Sequence, residues 1–210
     1  MTRLLLVDDH AVVREGVRRI FEQRAEETVF GEASTVAEAV VLATSEEWDA
    51  VVLDLTLRDG NGMDVLKELR RVRPGLPVLV LSMHAEEQYA RRAFKAGAAG
   101  YITKDAPAAD LAGAIGTVSS GHKYVSAALA DQLVTYLQEE SRGMPHDSLS
   151  DREFEVMRQI ASGRTVREIA AQLALSDKTV STYRARLLEK MGMRTNAELT
   201  HYAFANKVVE

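Results

Sequence analysis

The sequence predicts an α/β domain with a doubly wound, five-stranded parallel sheet, followed by a second, smaller all-α domain. Residues 1–120 alternate five short apolar runs, rich in β-branched residues, with longer segments of helical period. This alternation is the pattern of β-α repeats, in which helices cover both faces of a parallel sheet. From Ser150 onward, short helical segments follow one another without a strand pattern. We therefore divide the chain into a first domain at 1–120, a linker helix and flexible linker at 121–146, and a second domain at 147–210.

The elements of the first domain follow from its apolar runs and from the turn residues between them. Continuous apolar runs in the first, third and fourth strands indicate burial on both faces, and Gly60, Gly62 and Gly97 mark turns. The predicted strands are residues 3–8, 28–33, 50–55, 77–82 and 99–103. The predicted helices are residues 11–24, 36–46, 62–72, 86–96 and 107–119.

The segment between the domains combines a helical pattern with a polar stretch. Residues 125–140 repeat leucine at every fourth position, with Ser126 as a candidate N-cap, which predicts an amphipathic helix. Residues 141–148 are polar and contain glycine and proline, which predicts a flexible linker.

Helix starts in the second domain are marked by Ser or Thr followed three residues later by Glu, the pattern of a capping box. The pairs are Ser150 with Glu153, Thr165 with Glu168, and Thr195 with Glu198. A short turn at Ala174–Leu175 separates one helix from a longer helix that begins after Ser176. A helix, a tight turn and a longer helix form a helix-turn-helix, which can place its second helix in the major groove of DNA.

Composition excludes several classes of protein. The chain has no cysteine, which rules out disulfides and thiolate metal sites. The first residues reach Asp8 and Asp9 too soon for a signal peptide, and no apolar run approaches the roughly 20 residues of a membrane span. We therefore expect a cytoplasmic protein with no membrane contact. The net charge is −5, but residues 147–210 hold 10 basic and 9 acidic residues, so nucleic-acid binding requires basic residues to cluster on one face.

Carboxylates cluster at one edge of the predicted sheet. Asp8 and Asp9 close the first strand, and Asp54 lies at the end of the third. The carboxyl ends of parallel strands share one edge of the sheet, and doubly wound sheets bind their ligands at that edge. Clustered carboxylates repel one another and favour a hard divalent cation such as Mg²⁺. Ser82 ends the fourth predicted strand and Lys104 directly follows the fifth. They therefore bring a hydroxyl group and an ammonium group to the same edge. Such a set suits a phosphoryl group on an aspartate.

The segments that carry these residues resemble the receiver domains of two-component response regulators, which have a flavodoxin-like fold. The resemblance rests on MTRLLLVDDHAVVREG, AVVLDLTLRDGNGMDVLKELR, VLVLS and AGAAGYITKDA. It implies that Asp54 is the phosphoacceptor. It also implies a Mg²⁺ site formed by Asp8, Asp9, Asp54 and the backbone at Leu55–Thr56. It further implies that Lys104 contacts the phosphoryl group. Ser82 and Tyr101 would then relay the presence of that group to the surface formed by the fourth helix, fifth strand and fifth helix.

The chain departs from the receiver pattern at one position. Such domains usually carry proline four residues after the phosphoacceptor, whereas this chain has Arg58, followed by Asp59.

Residues 150–203 resemble the LuxR-type helix-turn-helix of the NarL/FixJ subfamily of response regulators. One stripe of the longer helix is apolar and should face the core, namely Val180, Tyr183, Leu187 and Met191. The opposite face and its flank carry the candidate DNA-contact residues, namely Lys178, Ser181, Thr182, Arg184, Ala185 and Arg186. The positions that read DNA bases in this family are commonly basic, whereas this chain has Ser181, Thr182 and Ala185 there. We therefore expect its affinity for DNA to depend on contacts with the phosphates.

Together the two resemblances imply a response regulator that a sensor histidine kinase phosphorylates on Asp54 with Mg²⁺. The phosphorylated chain is then expected to bind double-stranded promoter DNA as a homodimer and to regulate transcription, with RNA polymerase as a further candidate partner. It is not expected to be an enzyme, beyond self-catalysed phosphoryl transfer and autodephosphorylation.

Other classes of protein fit the sequence less well. A phosphatase of the haloacid-dehalogenase type needs a second aspartate two residues after its nucleophile, where this chain has Thr56. A nucleotide-binding enzyme would carry a Gly-x-Gly-x-x-Gly or phosphate-loop motif, and the chain has neither. The five histidines are scattered and give no metal-ligand spacing. A receiver-controlled protein-interaction regulator that does not bind DNA stays open, and an even spread of basic residues over the last third would favour it.

Overall fold

The structure is a computed structural model, and it describes residues 1–22, 27–83, 87–126, 129–130, 144–206 and 208–209. The chain divides into two compact units, Met1–Thr135 and Tyr136–Glu210. Most of the predicted helix at 125–140, and the predicted linker as far as residue 143, lie outside the described residues.

The first unit is built on a parallel sheet, as the sequence predicts. Its strands are β1 (Thr2–Val7), β2 (Thr28–Ala33), β3 (Ala50–Asp54), β4 (Thr56–Leu57), β5 (Gly60–Asn61), β6 (Val78–Ser82), β7 (Gly100–Thr103) and β8 (Tyr124–Val125). Over the described ranges, six of them form one sheet in the order β2-β1-β3-β6-β7-β8, with every neighbouring pair parallel. Every residue of β3 and β6 is buried, as expected for central strands covered on both faces.

The sixth strand, β8, is the difference from the predicted five. Its two residues lie in the segment that the sequence predicts to connect the domains, and the Tyr124 N–H donates to the Ala99 carbonyl at 2.9 Å. A two-residue strand is too short to show an apolar period, and so the sequence pattern does not indicate it.

The helices of the first unit agree with the predicted ones to within a few residues. They are α1 (Ala11–Glu22), α2 (Val36–Ser45), α3 (Gly62–Val72), α4 (Glu87–Lys95) and α5 (Ala108–Ser119). Helices α1 and α5 bury Phe21 and Ile115 in a core cluster with Leu4, Val52 and Leu79 of the sheet. The doubly wound α/β fold is therefore confirmed.

A short antiparallel hairpin of β4 and β5, which the sequence patterns do not predict, follows β3. Arg58 and Asp59 are the two residues between its strands. The Asp59 carboxylate accepts hydrogen bonds from the N–H of Val36, the first residue of α2, at 3.0 and 3.2 Å. A Cβ atom at Gly60 would lie 2.5 Å from the Val36 side chain, and one at Gly62 would lie 2.2 Å from the last backbone oxygen of β3. The hairpin is thus held closely against both α2 and the end of β3.

The second unit is helical in all its described elements, which confirms the all-α prediction. A 3₁₀ turn at Pro145–Ser148 precedes α6 (Asp151–Ala161), α7 (Val166–Gln172), α8 (Asp177–Met191) and α9 (Asn196–Ala205). Phe154, Met157, Ile169 and Leu187 are fully buried in its core. In the portion of the chain that the structure describes, no helix combines the length and the apolar character needed to cross a membrane.

Two of the three predicted capping boxes are complete. These are Ser150 with Glu153 at α6, and Thr165 with Glu168 at α7. At α9 the Thr195 side chain accepts from the Glu198 N–H at 3.2 Å, but the Glu198 carboxylate accepts from the N–H of Arg194 instead of that of Thr195. The sequence pattern alone cannot distinguish these two partners, because they are adjacent in the chain.

Helices α7 and α8 form the predicted helix-turn-helix. The turn contains Ala174 at φ 52°, a left-handed conformation that side chains other than glycine rarely adopt. The Leu175 N–H donates to the Ala170 carbonyl at 2.9 Å, and the Ser176 side chain caps α8 by accepting from the Thr179 N–H at 3.1 Å.

Candidate metal centre and nucleic-acid interface

The predicted acidic residues meet at the carboxyl edge of the sheet. Strands β1 and β3 are neighbours, and they are the pair at which the strand order reverses, where doubly wound sheets bind ligands. Asp8 follows β1 and Asp54 ends β3, with exposed fractions of 4% and 3%. Buried carboxylates need a cation or hydrogen-bond donors, because burial without them is costly.

Lys104 supplies the cation. Its Nζ donates to Asp8 Oδ2 at 2.7 Å and to Asp54 Oδ2 at 2.8 Å. The second oxygen of Asp54 accepts from the Thr56 N–H at 3.1 Å. The three residues predicted from three different strands are therefore in direct contact.

Burial dominates the electrostatics of Asp54. It raises the pKa of the Asp54 carboxyl, and the hydrogen bond and charge of Lys104 offset only part of that effect. Burial also disfavours the Lys104 ammonium, but its hydrogen bonds to Asp54 and Asp8 outweigh this and hold the pKa of Lys104 above its usual value. The site therefore has an aspartate whose negative charge depends on a nearby cation.

Asp9 lies beside this pair but has different partners. Its Oδ2 is 2.9 Å from Arg58 Nε. Its Oδ1 lies 2.7 Å from His10 Nδ1, but the geometry is not that of a hydrogen bond, and this buried oxygen accepts none from any residue that the structure describes. A buried carboxylate oxygen without a donor is suited to a hard cation.

The donor set fits a magnesium ion. Asp8, Asp9, His10 and Asp54 each place one potential ligand atom within 4.8 Å of the others. Three carboxylates are the oxygen ligands that Mg²⁺ prefers. Of the predicted ligands, Thr56 has an exposed side chain, and its N–H donates to Asp54 Oδ1.

Two residues at the site were not predicted as site residues. His10 Nδ1 lies 3.2 Å from Asp8 Oδ1, and the His10 N–H donates to the same oxygen at 2.8 Å. The inference that no histidine belongs to a metal-ligand pattern is therefore too strict, since adjacency to Asp8 and Asp9 is itself a signal. Arg58 is the residue at which the chain departs from the receiver pattern, and its contact with Asp9 depends on the β4–β5 hairpin, which the sequence does not predict.

Ser82 and Tyr101 are buried on neighbouring strands, with exposed fractions of 0% and 2%. Ser82 ends β6, and its carbonyl accepts from the Lys104 N–H at 2.8 Å, so it lies at the same edge as the carboxylates. Tyr101 lies further back in β7, paired with Val80. Its side chain is buried within the first unit.

The candidate DNA-contact residues share the solvent-facing side of α8. Lys178, Ser181, Thr182, Ala185 and Arg186 are exposed. The Thr182 hydroxyl donates to the Lys178 carbonyl at 2.9 Å. Arg184 is half-buried, and its Nε donates to the Asn196 side chain at 2.7 Å. Arg184 thus connects α8 with the start of α9, whereas Lys178 and Arg186 have side chains exposed to solvent.

The opposite side of α8 packs into the core. Val180, Leu187 and Met191 are buried as predicted, Tyr183 is half-buried, and Leu188 is an additional buried residue. Lys190 Nζ donates to the buried Glu153 carboxylate of α6 at 2.6 Å. Burial by itself raises the pKa of Glu153, but the hydrogen bonds from Lys190 and Ser150 outweigh it and place the pKa below its usual value. These contacts fix the orientation of α8 within the second unit.

Two protein families match this chain. Residues 4–116, more than half of the chain, match the family described as response regulator receiver domain. Residues 147–203 match the family described as bacterial regulatory proteins, luxR family.

Similar proteins are aligned along nearly the whole chain. Response regulator UvrY of Escherichia coli (strain K12) is 36% identical over 204 residues, which cover 97% of this chain and 94% of UvrY. Response regulator GacA of Pseudomonas aeruginosa is 34% identical over 211 residues, covering 100% and 99%. A structure of RcsB from Salmonella enterica serovar Typhimurium, bound to promoter P1flhDC in the presence of phosphomimetic BeF₃⁻, is 25% identical with a TM-score of 0.65 and covers 96% of this chain and 97% of that one. The chain therefore belongs to the NarL/FixJ-type response regulators of two-component systems, with a receiver domain followed by a LuxR-type DNA-binding domain.

Proposed function

We propose that Asp54 accepts a phosphoryl group from a phosphohistidine of a sensor kinase, and that the phosphorylated chain binds promoter DNA as a dimer. The observation that carries the first part is the contact of buried Asp54 and Asp8 with Lys104 at the strand-order reversal. The DNA-binding part rests on the exposed polar face of α8 and on the promoter-bound structure of RcsB, a similar protein.

The chemistry requires one nucleophile and charge compensation. An Asp54 carboxylate oxygen attacks phosphorus, the phosphorus–nitrogen bond of the phosphohistidine breaks, and its electron pair returns to the imidazole nitrogen. The product is an acyl phosphate on Asp54. Lys104, already between Asp8 and Asp54, neutralises charge on the transferred group, because a positioned cation stabilises the developing negative charge. Asp8, Asp9 and Asp54 would hold Mg²⁺, which supplies further positive charge for the phosphoryl oxygens.

The signal then passes from the receiver to the DNA-binding domain. Ser82 and Tyr101 are the residues we propose to sense the phosphoryl group, since Ser82 lies at the same sheet edge as Asp54 and Tyr101 lies on the next strand. Phosphorylation would stabilise one of two receiver conformations and thereby favour assembly. We place part of the dimer contact on α9, where Phe204 is 51% exposed. RNA polymerase is a further partner that the DNA-bound dimer could contact.

Phosphorylation is tested with a small phosphodonor and Mg²⁺ on the full-length chain. Mass spectrometry should find one added phosphoryl group on wild type and none on Asp54→Asn. Asp64→Asn removes an exposed acidic residue in the first turn of α3 and should be labelled like wild type. Equal labelling of wild type and Asp54→Asn would refute the assignment.

DNA binding is tested by sequencing the genomic fragments that the phosphorylated chain retains, followed by titration of one such fragment. Sedimentation should show a shift from monomer to dimer on phosphorylation, and Phe204→Ser should weaken that shift. Failure of the phosphorylated dimer to retain any fragment would instead favour a receiver-controlled protein-interaction regulator.

A further inference from the structure

We propose that Arg58 is a tethered counter-cation that competes with Mg²⁺ for the Asp9 carboxylate, so that this receiver needs more magnesium than it would with a neutral residue at that position. The inference rests on the proposed function in so far as it takes the acidic cluster to be the metal site. It concerns the residue that stands where receiver domains usually have proline.

The contact is asymmetric in burial. Arg58 Nε lies 2.9 Å from Asp9 Oδ2, yet the Arg58 side chain is 77% exposed while that of Asp9 is only 5% exposed. The guanidinium can leave the carboxylate and be hydrated at little cost, whereas the Asp9 carboxylate needs a cation in either case. Arg58 is therefore a counter-ion that a metal ion can displace.

The position of Arg58 is fixed by its hairpin. The neighbouring Asp59 accepts two hydrogen bonds from the first N–H of α2, and Gly60 packs too closely against Val36 for a side chain to fit. The backbone of the turn is thus held in place, and only the Arg58 side chain has to move for Asp9 to become available.

Lys104 and Arg58 divide the acidic cluster between them. Lys104, with a side chain that is 10% exposed, contacts Asp8 and Asp54, and the contact of Arg58 is with Asp9. The three carboxylates of Asp8, Asp9 and Asp54 and the two basic side chains of Lys104 and Arg58 together carry a formal charge of −1. Without Arg58 the charge is −2, which one divalent cation neutralises. Removal of Arg58 should therefore increase the affinity for Mg²⁺.

The test is a calorimetric titration of the full-length chain with magnesium chloride at low ionic strength. Exposed ion pairs contribute up to about 1 kcal/mol, so Arg58→Ala should lower the dissociation constant for Mg²⁺ by about twofold to fivefold. Arg58→Gln, a second neutral variant, should do the same, and Arg58→Lys should stay close to wild type. Raising the ionic strength from roughly 0.05 to 0.5 M should narrow the gap, because salt screens exposed charges.

Arg19→Ala is the matched control. It removes the same charge from another exposed arginine of the receiver, which pairs with Glu15 on α1 at 3.0 Å, and it should leave the dissociation constant unchanged. If Arg19→Ala tightened binding as much as Arg58→Ala, a general charge effect would replace the proposed competition.

The remaining outcomes separate this inference from the proposed function. If Arg58→Ala and Arg58→Gln bound Mg²⁺ with the same dissociation constant as wild type, Arg58 would not compete with the metal ion. The proposed metal site would still be supported in that case. If wild type bound no Mg²⁺ at millimolar concentrations, the metal site itself would be wrong and the inference would fall with it.

Discussion

Replacement of Lys104 by methionine tests how the receiver domain keeps two carboxylates buried. Methionine has nearly the same length but no charge, so the variant removes the hydrogen bonds to Asp8 and Asp54 while largely preserving the packing. A hydrogen bond to a charged group contributes about 1.5–3 kcal/mol. Protonation of one carboxyl group limits the loss, because it relieves the repulsion between them. We therefore expect the free energy of unfolding to fall by about 2–4 kcal/mol at pH 7.5.

The loss should depend on pH in a definite direction. Burial already raises the pKa of Asp54 against the opposing effect of Lys104, so removal of Lys104 raises it further. A carboxyl group whose pKa is higher in the folded than in the unfolded protein stabilises the fold when protonated, and this stability is lost as the pH rises through the interval between the two pKa values. The penalty of Lys104→Met should therefore be largest at high pH and should shrink toward pH 5.

Urea denaturation of the full-length chain, followed by circular dichroism at several pH values without Mg²⁺, measures this effect. Lys123→Met, at an exposed position, is the control and should be within about 0.5 kcal/mol of wild type throughout. A penalty below about 0.5 kcal/mol at pH 7.5, or one independent of pH, would refute the role of Lys104 as the cation of this site.

The remaining predictions concern the DNA-binding domain. Ala174→Gly should raise the free energy of unfolding by up to about 1 kcal/mol in calorimetry, because glycine removes the strain of a left-handed φ of 52°; a loss of stability would contradict this. Arg186→Ala should weaken cognate and scrambled duplexes alike and lower the salt slope by about 1, whereas Thr182→Ala should change base preference at a cost of roughly 1–3 kcal/mol. An unchanged slope for Arg186→Ala would identify it as a base reader. Lys190→Ala should cost about 1 kcal/mol above pH 5, since Lys190 is 42% exposed. Because the pKa of Glu153 lies below its unfolded value, this contribution should disappear as the pH falls through the folded pKa, and a cost that does not decrease as the pH is lowered would argue against it.

The sequence by itself determined the fold class and the elements that carry the site. Apolar runs and helical periods depend on whether each side chain is buried, and burial repeats regularly along long elements, so β1, β3, β6 and the nine helices of the described chain follow from local pattern. Asp8, Asp54 and Lys104 were also predictable, because parallel strands bring their carboxyl ends to one edge. The apolar stripe of α8 follows from the same periodicity, and it places Lys178 and Arg186 on the exposed side.

Only the tertiary structure decided which side chains from distant parts of the sequence are in contact where short strands and loops bring them together. The β4–β5 hairpin has two residues in each strand, too few for a period, yet it positions Arg58 against Asp9. Whether an ionisable side chain is a partner or merely solvated depends on distances that no local pattern records. His10 differs, because it is adjacent to Asp9 in the sequence, and the path of the chain from β1 into α1 decides only how close its ring lies to the Asp9 carboxylate. The local sequence pattern determines which residues are buried. Which charged side chains share a site is determined by how the loops from different strands and helices pack against one another.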